Sequence, residues 1–223
     1  MEAKKAAAEK AADFIQDGMI VGLGTGSTAY WAIQKIGARV REGLKIKAIA
    51  TSQASEELAH ELGIPQLPFS EIETIDLTID GADEADPAFH LIKGGGGALL
   101  REKIVAAASK KLIIVVDESK VVDKLGHFPL PVEVVPFGHE MTLRKLEQLD
   151  CKPVLRTEEG KTFVTDNGNY IADCHFGRID DPEQLHTVIN LIPGTVDNGL
   201  FIHMADHIIV GYHDGRVREL EKA

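Results

Sequence analysis

Short apolar runs alternate with amphipathic segments over the first half of this chain. The apolar runs predict strands, and the amphipathic segments, which repeat every three to four residues, predict helices. The predicted strands are residues 19–23, 45–51, 75–79 and 111–116, and the predicted helices are an Ala-rich N-terminal segment and residues 27–41 and 52–62. Strands that alternate with helices favour a parallel sheet with helices on both faces.

The pattern changes after Phe128-Pro129-Leu130-Pro131. The predicted elements there are a strand at 132–135, a helix at 138–149, strands at 153–156, 162–165 and 170–174, a helix at 182–191 and a strand at 195–202. This order is close to βαββαβ, a ferredoxin-like unit, although the middle strand can be read as one hairpin or as two strands. Residues 206–212 predict a strand that rejoins the first sheet.

We therefore expect an α/β protein with a Rossmann-like, doubly wound parallel sheet and an inserted, small ferredoxin-like α+β domain. The first domain is predicted to comprise residues 1–128 and 204–223, and the second residues 129–203. A small α+β unit has a limited core of its own. We expect the second domain to mediate oligomerisation.

Composition narrows the class of protein. The chain has 223 residues, of which 44% are hydrophobic, and this is typical of a globular protein. Its apolar runs are shorter than the roughly 18 residues that span a bilayer, so we expect no membrane segment, and the N-terminus does not read as a signal peptide. The formal net charge is −11, with no basic stripe for nucleic acid. Cys151 and Cys174 are too few for a disulfide framework, which predicts a reducing cytoplasm.

Four consecutive glycines, Gly94 to Gly97, are the most informative segment. They lead into a predicted helix, where backbone N–H groups at the N-terminus can bind an oxygen anion. Lys93 precedes the run and Glu102 follows it by about one helical turn. The segment thus gathers a cation, an oxyanion cradle and a carboxylate base, whereas the alternative is a flexible linker.

A second glycine motif, Gly24-Thr25-Gly26-Ser27-Thr28-Ala29, follows the first predicted strand. It fits the dinucleotide pattern Gly-x-Gly-x-x-Ala, but that site also needs an acidic residue after the second strand. The second strand ends in Ala50-Thr51-Ser52-Gln53, without an acid. A cradle for one phosphate is favoured, and a purely structural tight turn is the remaining alternative.

Acidic side chains follow two further predicted strands, in Asp80-Gly81-Ala82-Asp83-Glu84 and in Asp117-Glu118-Ser119-Lys120. Ligands bind beyond the carboxyl ends of parallel strands, so these loops and the loop at Gly24 are expected at one rim. Paired carboxylates can divide acid and base roles, hold a cation, cap a helix or simply face solvent. The spacing does not fit a calcium loop.

Metal binding is not expected from the sequence. His203 and His207 have the spacing of helical metal ligands, but the residues after them predict a strand, so the two would not share a helix face. No Ser-His-Asp arrangement can be read from the spacing.

These motifs, in this order, resemble the type A ribose-5-phosphate isomerase family. The resemblance rests on Gly24 to Thr28, Asp80 to Asp83, Lys93 to Gly96 and Arg101-Glu102-Lys103, and it continues through Phe128 to Val134, Asp166 to Asn169 and Ile192-Pro193-Gly194. It covers nearly the whole chain. Gly97 lengthens a run that often reads Gly-Gly-Gly-Ala in the family.

The resemblance implies an isomerase that needs neither metal nor organic cofactor. It implies that Ser27, Thr28 and Lys120 hold the substrate's phosphate, with Thr25 and Gly26 beside them and Lys4 as a further lysine. It places Asp80, Asp83 and Lys93 around the sugar oxygens and makes Glu102 the proton acceptor. The same motifs add Gly81, Ala82, Gly94, Gly95 and Gly96 to the expected substrate site.

The expected partner is a small sugar phosphate, with no nucleic acid and no membrane, in a cytoplasmic homo-oligomer, either dimer or tetramer. Two alternatives stay open at this point. A sugar-phosphate-sensing module would need the phosphate cradle but no positioned Glu102. An amino-sugar-phosphate deaminase of the same fold superfamily would need a site for ammonia release, which sequence cannot locate.

Overall fold

The computed structural model describes residues 2–222, and the elements alternate as the hydrophobic pattern predicts. The helices are α1 (Glu2–Ala12), α2 (Ser27–Arg41), α3 (Gln53–Glu61), α4 (Leu99–Ala107), α5 (His139–Glu147) and α6 (Pro182–Asn190). The strands are β1 (Ile20–Leu23), β2 (Lys47–Ala50), β3 (Leu77–Gly81), β4 (Glu84–Ala85), β5 (Leu91–Ile92), β6 (Leu112–Asp117), β7 (Leu130–Val134), β8 (Lys152–Leu155), β9 (Thr157–Glu158), β10 (Lys161–Thr162), β11 (Tyr170–His175), β12 (Thr195–Asn198), β13 (Leu200–Phe201), β14 (His207–Gly211) and β15 (Val217–Glu221). Within the described residues, no helix combines the length and the apolar content to cross a bilayer.

The chain forms two compact units. The first comprises the described residues up to Ala82, Arg101–Val121 and the described residues from Met204 onward. The second comprises Asp83–Leu100 and Val122–His203.

The first unit is built on a mostly parallel sheet in the order β15-β14-β6-β3-β1-β2. Strands β1, β2, β3, β6 and β14 pair in parallel, and β15 adds an antiparallel edge. Strand β14 pairs with β6, so the segment after residue 203 rejoins the first sheet as predicted. Strand β15 has a mostly exposed, charged sequence that gives little strand signal, and the sequence did not predict it.

Helices cover both faces of this sheet. Alternate side chains of β1 point to opposite faces, and on one face Val21 and Leu23 join the main core with alanines and isoleucines of α1, α2 and α3. On the other face Val105 of α4 packs with Ile49 and Ile75. The doubly wound α/β architecture is confirmed.

The second unit contains an antiparallel sheet in the order β12-β7-β11-β8. With α5 and α6 it forms the predicted βαββαβ arrangement, whose core includes Leu130, Val132 and Ile189. The segment between β8 and β11 forms the short hairpin β9–β10. The middle of the predicted βαββαβ unit therefore contains a separate hairpin. Asp181 caps α6 by accepting the N–H of Gln184 at 2.9 Å.

The single strand predicted at 195–202 is divided in two. Strand β12 pairs with β7, whereas β13 pairs with β5 in a small sheet β13-β5-β4. Gly199 lies at the division: its N–H donates to Pro131 O at 2.7 Å and its carbonyl accepts from Lys93 N at 2.9 Å. A side chain at position 199 would overlap the Lys93 carbonyl, so the glycine permits this crossing.

The two units differ from the predicted domains at residues 83–100 and 122–128, which lie in the second unit. Strand β5 pairs with β4 and β13, and the Glu84 carboxylate accepts the N–H groups of Gly126 and Phe128 at 2.7 and 2.6 Å. Strands of two residues carry no hydrophobic period, so the sequence pattern gave no sign of β4 and β5. The predicted ranges also include Met1 and Ala223, which lie outside the described residues.

Candidate active site

The loop after β1 is tied to the end of β3. Gly24 donates to Ile79 O at 2.9 Å, and the N–H of Thr25 donates to Asp80 Oδ1 at 3.1 Å. A Cβ at Gly24 would overlap the Asp80 carboxylate, so this approach requires glycine. The two predicted site segments therefore lie in direct contact.

The hydroxyl of Thr25 faces the end of β2 and the start of α3. Thr25 Oγ1 lies 2.7 Å from Thr51 Oγ1 and donates to Ser52 Oγ at 2.8 Å. Ser55 Oγ donates to Gly24 O at 2.7 Å and closes the network. These hydroxyls occupy the place where a dinucleotide site carries its ribose-binding acid, so a dinucleotide is not favoured.

Helix α2 begins at Ser27 with Gly26 as its N-cap. The backbone of Gly26 has a φ of 95°, which favours glycine, and no side chain caps the helix. The first turn carries no acidic residue. The N–H groups at this terminus therefore suit an anion.

One lysine contacts this terminus, and a second lysine follows β6. Lys4 Nζ donates to Ser27 Oγ at 3.0 Å and lies 3.9 Å from Asp117 Oδ2. Lys120 ends the short 3-10 turn Glu118–Lys120 that follows β6.

Asp117 is buried beside both lysines, and burial alone would raise its pKa. The hydrogen bonds from the hydroxyl and N–H of Ser119 and the charges of Lys4 and Lys120 together outweigh that effect. The pKa of Asp117 is therefore lowered from its ordinary value. Asp117 is therefore an ionised partner of the Lys4 ammonium.

A pocket of about 600 Å³ opens beside the same loop. Lys4 and Ser27 contribute its polar part, and Tyr30, Trp31 and Leu58 contribute apolar surface. The polar part fits the phosphate cradle that the sequence predicts.

The first unit also holds two buried carboxylates. Asp80, 1% exposed, accepts the N–H of Gly81 at 2.8 Å as well as that of Thr25. Glu102, 5% exposed, lies in the first turn of α4, where the helix dipole favours a carboxylate. Both positions suit groups that accept protons in a site shielded from bulk water.

The second unit holds the glycine loop and Lys93. Lys93 is buried, and its Nζ lies 5.3 Å from the centroid of the Phe201 ring. The N–H of Gly95 donates to Asp83 Oδ2 at 2.8 Å, and that of Gly97 donates to Gly94 O at 2.9 Å.

The N–H groups of Gly95 and Gly97 are therefore already hydrogen-bonded within the protein. The N–H of the exposed Gly96 has no hydrogen-bond partner within residues 2–222 and can meet a ligand. The sequence did not foresee that Asp83 would hold the glycine loop.

Arg156 supports this loop, and the sequence gave no signal for it. Its Nη1 donates to the carbonyl oxygens of Gly94 and Gly95 at 3.0 and 3.1 Å. Its Nε donates to Asp173 Oδ2 at 2.9 Å, in a two-point pairing of the guanidinium with that carboxylate.

Gly97, the last glycine of the run, has a φ of +78°, and a Cβ there would overlap the Phe163 ring. The additional glycine of this chain thus meets a specific steric requirement.

The predicted site residues are divided between the two units. The first unit holds Lys4, Thr25, Gly26, Ser27, Thr28, Asp80, Gly81, Ala82, Glu102 and Lys120. The second unit holds Asp83, Lys93, Gly94, Gly95 and Gly96.

Within the first unit, contacts join Lys4 to Ser27 and Thr25 to Asp80, and Thr28 lies beside Gly81.

A family model described as ribose 5-phosphate isomerase A (phosphoriboisomerase A) matches residues 47–215. A ribose-5-phosphate isomerase A from Bacillus thuringiensis subsp. konkukian is 55% identical over 99% of this chain and 100% of its own length. The solved ribose 5-phosphate isomerase from Plasmodium falciparum superimposes with a TM-score of 0.97 at 41% identity, over 100% of this chain and 99% of that one. A D-ribose-5-phosphate isomerase in complex with phospho-erythronic acid gives a TM-score of 0.95 at 42% identity, over 99% and 98% of the two chains. The chain belongs to the ribose 5-phosphate isomerase A family.

Proposed function

We propose that this chain interconverts D-ribose 5-phosphate and D-ribulose 5-phosphate through a cis-enediolate, an aldose–ketose isomerisation of the non-oxidative pentose phosphate pathway. The observation that carries the proposal is the buried Glu102 in the first turn of α4, directly after the glycine loop, in a chain of this family. The reaction needs one such base and no redox partner.

The phosphate binds at the start of α2. Ser27 and Thr28 offer hydroxyls and helix N–H groups, and Lys4 and Lys120 supply positive charge in a protein of net charge −11. The relative solved with phospho-erythronic acid binds a phosphorylated acid of related chemistry. Thr25 and Gly26 shape the loop through backbone contacts and the Thr25 hydroxyl network.

Glu102 removes the proton from C2 and returns it to C1. The resulting enediolate carries negative charge on oxygen, which the Lys93 ammonium and the Gly94 to Gly96 backbone stabilise. Asp80, fixed by two N–H groups, is the candidate acid–base group for ring opening, with Gly81 and Ala82 at the same strand end. Asp83 acts on the sugar oxygens and also holds Gly95.

The alternatives that sequence left open are not favoured. The relatives described above are isomerases over nearly the whole chain, and a positioned Glu102 is superfluous in a module that only senses sugar phosphates. A deaminase would also need a site for ammonia release, and nothing in residues 2–222 points to one.

The working form is a cytoplasmic homo-oligomer without nucleic acid or membrane partners, and the isomerisation uses no cofactor. The buried thiols of Cys151 and Cys174 are not joined in a disulfide, which fits a reducing compartment. Exposed apolar side chains in the second unit, among them Phe137 and Leu191, support assembly through that unit.

The test is to incubate the purified protein with ribose 5-phosphate and to measure ketose formation. Unphosphorylated ribose serves as the matched substrate. We expect rapid conversion of the phosphate ester and, because the cradle is then empty, a much lower kcat/KM for ribose. Binding without turnover would favour the sensing alternative, and release of ammonia from an amino-sugar phosphate would favour the deaminase.

A further inference from the structure

Three side chains that the proposed reaction does not use converge in the second unit. One donor atom each from His90, Glu183 and His203 lies within 4.8 Å of the others. The three come from separate segments: His90 precedes β5, Glu183 belongs to the first turn of α6, and His203 follows β13. The set offers two imidazoles and one carboxylate.

His90 is the buried member, with 9% of its side chain exposed. Its Nδ1 lies 3.4 Å from Asp86 Oδ2, whereas its buried Nε2 makes no hydrogen bond within residues 2–222. A buried polar nitrogen without a partner is costly. A carboxylate on one ring nitrogen that leaves the other facing a ligand set is the usual arrangement of a metal-binding histidine.

The distances fit a small metal ion. His203 Nε2 lies 2.9 Å and His90 Nε2 lies 3.8 Å from Glu183 Oε1. Zinc binds nitrogen and oxygen ligands at about 2.0–2.1 Å, so neighbouring ligand atoms of a tetrahedral site lie about 3.3 Å apart. The two observed distances bracket that value.

The site is preorganised on one side and accessible on the other. Asp86 Oδ1 accepts the N–H groups of Ala88 and His90 at 2.9 and 2.8 Å, which fixes the loop that carries the buried histidine. The side chains of Glu183 and His203 are 56% and 55% exposed. An ion can therefore enter from solvent, and a water molecule can complete its coordination.

We propose that His90, Glu183 and His203 bind a divalent transition-metal ion, with Zn²⁺ the best match to two imidazoles and one carboxylate. Asp86 orients His90 from the second coordination sphere. The ion cross-links three segments of the second unit in a structural role.

The sequence gave no sign of this site because its ligands are far apart in the chain. The spacing of His203 and His207 drew attention, but His207 is buried on β14, where its ring packs against Phe14 of the first unit. The fold brings His90, Glu183 and His203 together, and helical spacing plays no part.

Titration of the untagged, metal-free protein with Zn²⁺ by calorimetry, and with Co²⁺ by visible absorption, tests the proposal. We expect one equivalent to bind, with Co²⁺ bands typical of four or five ligands and displacement by Zn²⁺. Glu183→Gln and His203→Asn should each weaken binding by about tenfold or more, and Asp86→Asn by roughly 10- to 100-fold. Asparagine is chosen at position 203 because it tolerates the φ of 56° found there.

His60→Ala is the matched control, since His60 is an exposed histidine on α3 outside the cluster. It should bind the metal as the wild type does. Wild-type affinity in His203→Asn, with its fold verified by thermal unfolding, would overturn the proposal, as would the absence of saturable binding. Loss of isomerase turnover on chelation, restored by Zn²⁺, would contradict the structural role.

Discussion

At the residue scale, the first prediction concerns Lys120, which we propose binds the phosphate of the substrate. We expect Lys120→Ala to raise KM far more than it lowers kcat, because the phosphate is remote from the reacting carbons and is held equally in the ground state and the transition state. Loss of one charged hydrogen bond costs about 1.5–3 kcal/mol, or roughly 10- to 150-fold in binding. Steady-state kinetics would check this. An unchanged KM would assign the contact to Ser27, Thr28 and Lys4.

Asp117, which interacts with Lys4 and Lys120, contributes to the free energy of unfolding. Its pKa is lowered in the folded protein, so its contribution to stability is present above the unfolded-state pKa and is lost as pH falls through the folded-state value. We expect Asp117→Asn to be less stable than wild type at pH 7, with the difference shrinking below about pH 4. Urea unfolding at both pH values measures it. A difference that persists unchanged in acid would contradict the assignment.

Individual side chains were the least predictable level from sequence. The sequence identified the motif around Gly24, but it did not predict that the Thr25 hydroxyl would contact those of Thr51 and Ser52. Likewise, Asp83 was assigned to the sugar, and only the fold shows its bond to Gly95. Such contacts depend on residues distant in sequence, which hydrophobic periodicity does not encode.

At the scale of elements, the glycine loop depends on Arg156. We expect Arg156→Lys to lower kcat by roughly 10- to 100-fold with a smaller change in KM. Lysine keeps the charge but cannot hold two carbonyls and a carboxylate in one plane. The glycine loop would then be misplaced, and small misplacements of catalytic groups are costly. Kinetics at saturating substrate would show the loss.

Arg178→Lys is its matched control. Arg178 also pairs with an aspartate, its Nε and Nη2 lying 2.8 and 2.7 Å from Asp180 Oδ1, but both side chains are exposed. It should leave kcat unchanged. Equal effects of the two substitutions would show that Arg156 acts only through general stability.

Most helices and the long strands were predictable because their apolar periods are strong. Helix α2 has the predicted bounds, β1 and β11 differ from theirs by one residue at one end, and β6 is shifted by one residue at both ends. The two-residue strands β4 and β5 were missed because only their pairing partners define them.

At the scale of the whole molecule, we predict that the protein forms a homo-oligomer through its second unit. Phe137 is 93% exposed and Leu191 76% exposed, and both lie in the second unit. Large exposed apolar side chains favour an interface. We expect light scattering at micromolar concentration to give at least a dimer and Phe137→Asp to shift the mass toward the monomer.

Phe69→Asp is the matched control for that experiment, because Phe69 is a partly exposed phenylalanine of the first unit. It should leave the mass unchanged. A monomeric wild type would contradict the assembly, and a Phe137→Asp protein of wild-type mass would remove that side chain from the interface.

The central claim is that Glu102 transfers the proton in ribose 5-phosphate isomerisation. The most direct measurement compares wild type and Glu102→Gln for ketose formation from ribose 5-phosphate, with substrate affinity measured in parallel. The account predicts that the variant keeps its affinity and loses about 10²- to 10⁴-fold or more in rate. Turnover of Glu102→Gln within a few-fold of wild type would contradict it.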